Sequence, residues 1–126
     1  MTTFEEAGAM LDEIIDEMPP EIFADLNGGV NLLPDEKIHP DGVGDDLYVM
    51  GEYNHNNLGR YINIFYGSVM TVYSYLPPRR LKTRLAEILK HEITHHLESL
   101  AGEKDLVIKD QIDYEKYKMR RERRVN

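Results

Sequence analysis

Leu-Lys-Thr-Arg-Leu-Ala-Glu-Ile-Leu-Lys-His-Glu-Ile-Thr-His-His, residues 81–96, decides how this chain is read. Leu81, Leu85, Ile88 and Leu89 recur at the three- and four-residue spacing of a helix that buries one stripe. His91 and His95 stand four apart on that helix, one above the other, so both imidazoles reach a single zinc ion at about 2.0–2.1 Å. Glu92 lies between them, placed to take a proton from a zinc-bound water as a general base. The pattern His-Glu-x-x-His arises by chance in roughly one per cent of chains this size or fewer. The plain alternative is two surface imidazoles and a solvated carboxylate.

Two histidines and a water leave a tetrahedral site one protein ligand short. Downstream, Glu98 falls three residues past His95 on the same helical face, and Asp105 lies beyond Gly102, where the chain is expected to turn back. Either carboxylate suits the third position, and Glu103 is a more distant choice. His96 points about 100° away from its neighbour and reads as a satisfied or surface histidine. His55, in an Asn-rich stretch, reads as a polar loop residue with a transition-state donor as the functional alternative, and His39 carries no signal.

Away from the central stretch, Thr3 and Glu6 form a capping-box pattern ahead of Phe4, Ala7, Met10, Leu11, Ile14, Ile15 and Met18 at helical spacing, stopped by Pro19-Pro20. A short helical piece is predicted over 21–26, a strand over 30–33 and a loop over 34–46. Strands are predicted over 47–53 and 61–66, with a turn-rich link at 54–59. A further strand over 69–73 across Gly67-Ser68 would make a hairpin. The main helix is expected over 79–100 with Gly102 as its stop, and a last helix over 110–123. Helices, then strands, then helices argue for an α+β fold in a single domain, residues 1–126.

Composition narrows the function classes. No cysteine is present, which removes disulfides, thiolate metal sites and a cysteine nucleophile. The N-terminus lacks the pattern of a signal peptide, and no apolar run approaches a membrane span, so a soluble, cytoplasmic protein is expected. The formal net charge of −8 is uneven. Residues 1–53 hold 14 acidic side chains against one basic, Lys37, whereas residues 115–126 hold six basic against two acidic. That polarity reads as solvated faces, and an acidic chain without an aromatic-studded basic patch is a poor nucleic-acid binder.

The chain resembles the small zincin-like metallopeptidases, the minimal metalloproteases, over nearly its whole length. The resemblance rests on the Phe4-Glu5-Glu6 helix ending in Met-Pro-Pro-Glu at 18–21, a mid-chain Gly-Glu-Tyr, Tyr61-Ile62-Asn63-Ile64-Phe65-Tyr66, and a basic helix closing on the doubled histidine of 91–96. It implies a small mixed or antiparallel sheet packed on the active-site helix, zinc as cofactor, a peptide or protein substrate, His91 and His95 as ligands and Glu92 as base. The chain departs from that pattern where Glu98 replaces a glycine and Gly102-Glu103-Lys104-Asp105 comes four residues, about one helical turn, late. The 61–66 strand is expected to hold an extended peptide by edge pairing. A metal-dependent RNA hydrolase and a non-catalytic metal-binding module are the competing readings. Nothing in the sequence speaks to oligomeric state.

Overall fold

In the computed structural model the described residues are 1–41 and 47–125, with side chains described as far as Lys104. Helix α1 (Phe4–Asp16) leads to a 3₁₀ turn (Pro20–Phe23) and strands β1 (Val30–Leu33) and β2 (Lys37–Ile38). Strands β3 (Tyr48–Val49), β4 (Gly51–Asn56) and β5 (Gly59–Phe65) follow, then helices α2 (Tyr66–Tyr73) and α3 (Pro78–Val125). The contacts divide the chain into two compact units, Met1–His96 and Leu97–Asn126. This is an α+β arrangement, as the order of elements predicts. No helix among the described residues is long and apolar enough to cross a membrane.

The first unit is built around β5. That strand pairs in parallel with β1, Val30 opposite Ile62, and antiparallel with β4, Gly51 opposite Ile64. Its residues alternate, with Arg60, Ile62 and Ile64 buried on one face and Tyr61 and Asn63 on the other. Because β5 is the middle strand of the order β1-β5-β4, both of its edges are already used. The expectation that 61–66 offers an edge to a peptide is therefore corrected: the strand edge beside the site belongs to β4. The link expected at 54–59 also shortens. Strand β4 continues to Asn56, and Asn56 opposite Gly59 leaves the two-residue turn Asn57-Leu58. Gly59 has φ +109°, and a Cβ there would fall 2.3 Å from the Asn27 side-chain amide, so only glycine fits.

Against the buried face of the sheet pack Ala7, Leu11 and Ile14 of α1 and Leu81, Leu85, Ile88 and Leu89 of α3, the stripe read from the sequence. Fully burying each of the larger of these side chains contributes about 1.5–3 kcal/mol. The Thr3–Glu6 capping box forms in both directions. The β-hairpin expected over 61–73 does not form, because Tyr66–Tyr73 is helix α2. Ser68 explains the change. It is fully buried, its hydroxyl accepting from the Lys37 amide at 2.7 Å and donating to the Lys37 carbonyl at 3.2 Å, while Val69 and Met70 turn into the core. Tertiary burial overrides the β-propensity of Val69, Thr71 and Val72.

The predicted stop at Gly102 is likewise corrected. The backbone stays helical from Pro78 to Val125, so the two expected helices are one. A helix-interior glycine costs about 1 kcal/mol relative to alanine, which the flanking Leu, Ala, Glu and Lys residues tolerate where a proline would not be tolerated. Pro78 opens the helix at a first-turn position that needs no amide donor.

Candidate metal centre

Two faces of α3 meet at Glu92. One is the buried stripe Leu81, Leu85, Leu89, Ile93 and His96. The other is Arg84, Glu87, Ile88, His91 and Glu92, which lines one wall of a cavity of about 510 Å³, with Tyr48, Val49, Met50 and Gly51 opposite. His91 and His95 are exposed and Glu92 is buried. One ligand atom from each of these three residues lies within 4.8 Å of the others.

The imidazoles converge. Their Nε2 atoms stand 3.2 Å apart, and the rings meet edge to face with centroids 4.7 Å apart. Two nitrogens on a tetrahedral zinc at about 2.05 Å would be separated by roughly 3.3 Å. The spacing therefore fits two ligands of one zinc ion, provided both rings carry their hydrogen on Nδ1. The same spacing also permits one ring to donate to the other. Glu98 lies in the second unit, and the side chain of Asp105 lies outside the described residues.

Burial lifts the Glu92 carboxyl above the ordinary carboxylate range. Positive charge on His91 and His95 pulls it back, and the charge of Glu52 raises it further. Glu92 owes its seclusion to Gly51. A Cβ at Gly51 would lie 2.9 Å from Ile88 Cγ2 and 3.1 Å from Glu92 Oε2, so the strand rests its bare backbone against the carboxylate. Phe65 N–H donates to the Met50 carbonyl at 2.8 Å, and antiparallel ladders alternate. Even-numbered residues of β4 therefore face β5, while the amide and carbonyl of Gly51, Tyr53 and His55 face the open edge. No further strand among the described residues pairs with that edge.

His96 is a satisfied core histidine, one of the two readings its position allows. It is fully buried, with Nε2 2.8 Å from the Ala24 carbonyl and Nδ1 2.9 Å from the Tyr53 hydroxyl. A carbonyl only accepts, so Nε2 carries the hydrogen and, in the neutral ring, Nδ1 accepts from Tyr53. The Tyr53 oxygen in turn accepts from Arg60 Nη1 at 2.8 Å. The resulting directed chain, Arg60 to Tyr53 to His96 to Ala24, ties α3 to β4 and β5 one residue beyond His95.

His55 lies on β4 rather than in a loop, exposed and opposite Arg60, and is not among the residues that line the cavity. His39, Tyr48, Gly51 and Arg84 do line it, and none of them stands out as a site residue in the sequence. Arg84 alone leaves a legible signal, seven residues before His91 on the same helical face. His39 accepts the Asp41 amide at Nδ1, 3.1 Å away, through a loop geometry that no spacing announces.

The described residues thus combine an α+β fold with a convergent His-Glu-His group on the long helix. No family model matches the chain, and no curated protein matches it. Among solved structures it is similar to a conserved hypothetical protein of Thermus thermophilus, at 30% identity, covering 79% of this chain and 98% of that one, with a TM-score of 0.68. At that identity and coverage the chain belongs to the same family as that protein, whose description states no activity.

Proposed function

We propose that this protein is a zinc-dependent peptidase with a zincin-like fold, acting in the cytoplasm on peptide or protein substrates and not on nucleic acid. The observation that carries the reading is the convergence of the His91 and His95 Nε2 atoms, 3.2 Å apart, beside a buried carboxylate at the end of a cavity flanked by an open strand edge. His91 and His95 hold the metal. Glu98 and Asp105 are the carboxylates that the sequence offers for a third ligand. Bound zinc supplies Lewis acidity, lowering the pKa of a water toward about 7 and polarising a carbonyl.

The chain's own residues do the rest. Glu92, held against Gly51 and raised in pKa by burial, accepts the proton of the attacking water and passes it to the departing amine. The amide and carbonyl of Gly51 face the open edge and align an extended peptide over that carboxylate. The walls around Ile88 and Met50 shield the reacting bond from bulk water.

The test pairs metal analysis with a broad peptide library. Glu92→Gln is expected to keep zinc at the parent's stoichiometry and to lower turnover by about 10²- to 10⁴-fold. Equal hydrolysis by the variant would sink the mechanism. Stoichiometric zinc with no cleavage by the parent would mark a binding module, and cleavage of RNA alone would replace the peptide substrate.

A further inference from the structure

Resting on the peptidase reading, we propose that Arg84 is a specificity-determining residue that receives a carboxylate of the substrate about three residues to the C-terminal side of the scissile bond.

The distance follows from the helix. Arg84, Glu87, Ile88, His91 and Glu92 line one wall of the cavity, so it has His91 and Glu92 at one end and a guanidinium at the other. Seven residues separate Arg84 from His91, about 10.5 Å along the axis. An extended chain covers that span in about three residues at roughly 3.3 Å each.

The direction follows from two contacts. Gly51 of β4 lies against Ile88 and Glu92, and Tyr53, two residues on, bonds His96. Across the site β4 and α3 therefore run the same way. A peptide pairing antiparallel to the open edge of β4, the more stable pairing, runs the opposite way, from the level of His96 toward the level of Arg84. Residues after the scissile bond thus approach the guanidinium.

The chemistry follows from how Arg84 is held. Its guanidinium carbon sits 5.1 Å from the centroid of the Tyr73 ring, and one Nη donates to Glu87 at 2.7 Å. These contacts hold a planar guanidinium whose Nε is buried and of which Glu87 engages one Nη, leaving the other Nη to meet an incoming carboxylate. Glu87 is itself 57% exposed at its side chain, so that ion pair is a weak competitor for an incoming carboxylate. A C-terminal carboxylate and an Asp or Glu side chain present the same group, and both lie within the proposal.

The experiment uses the zinc-loaded full chain and reads binding and cleavage separately. Peptidyl hydroxamates extending to the C-terminal side, three residues long, are compared as free acid, as amide, and as amide with Glu in the third position. Calorimetry is expected to show the free acid or the Glu compound binding at least about tenfold tighter than the plain amide. Arg84→Gln should erase that ratio by bringing the carboxylate compounds down toward the plain amide, and Arg84→Lys should restore part of it. Which of the two carboxylate compounds gains identifies the source. Equal affinities in the parent, or a ratio that survives Arg84→Gln, overturn the proposal. Because binding is read without turnover, a ratio present in the parent and erased by Arg84→Gln, with no peptide cleaved, would sink the peptidase reading and leave the carboxylate subsite standing. A zinc-loaded chain that binds none of the hydroxamates overturns both. Zinc stoichiometry and melting temperature of each variant separate loss of the subsite from loss of the fold.

Discussion

Gly51 performs at the residue scale what no side chain can. Its φ is outside the left-handed region, so alanine suits the backbone, yet the added methyl would press on Ile88 Cγ2 and Glu92 Oε2. Gly51→Ala is expected to keep the fold at a cost of about 1–3 kcal/mol and to retain zinc, while turnover drops tenfold or more as the carboxylate is pushed aside. Steady-state kinetics with metal analysis check this, and unaltered kcat would show that the close approach serves packing alone. At this scale the sequence is most legible where chemistry and helical spacing coincide. His91 and His95, four apart, and Glu92 and His95, three apart, come together because residues at those spacings are neighbours on one helical face. Gly51 and His39 are not legible, since what they touch is decided by elements distant in the chain.

Among the elements, α3 is legible in its first half, where Leu81, Leu85, Ile88 and Leu89 announce its buried stripe. The sequence misleads at Gly102, where a weak helix former has the look of a stop although no proline follows. It misleads again at helix α2, because Val69, Thr71 and Val72 favour a strand in isolation, whereas the hydrogen bonds of buried Ser68 reach Lys37, 31 residues away in sequence. The contact between α3 and β4 yields a prediction of its own. Tyr53→Phe removes the hydroxyl that links Arg60 to His96, leaving His96 Nδ1 without its donor. Denaturant unfolding is expected to show a loss of about 1–3 kcal/mol. A loss under about 0.5 kcal/mol would mean that solvent replaces the hydroxyl and that the chain of bonds does not anchor the helix.

For the molecule as a whole, a metal bound by the folded state and not by the unfolded chain must stabilise it. Zinc at a hundred times its dissociation constant is expected to add about 2.7 kcal/mol, with the melting temperature rising on titration and returning with a chelator. A melting temperature indifferent to zinc would show that the two imidazoles hold no ion. The measurement needs no substrate and is independent of every claim about turnover.

His95 and His96 are neighbours with opposite assignments, one on the surface and one sealed in the interior. Inserting or deleting a single residue in α3 before this pair would rotate everything after it by about 100° relative to everything before it. The sealed imidazole would then be swung out, or the surface one forced inward, while Leu81 and Leu85 stayed docked. Point changes at exposed positions of this helix other than His91 and His95 are therefore tolerable, but its length between Leu81 and His96 is not free to drift. Relatives that keep the site should vary in loops and at chain ends, and never by one residue in that interval.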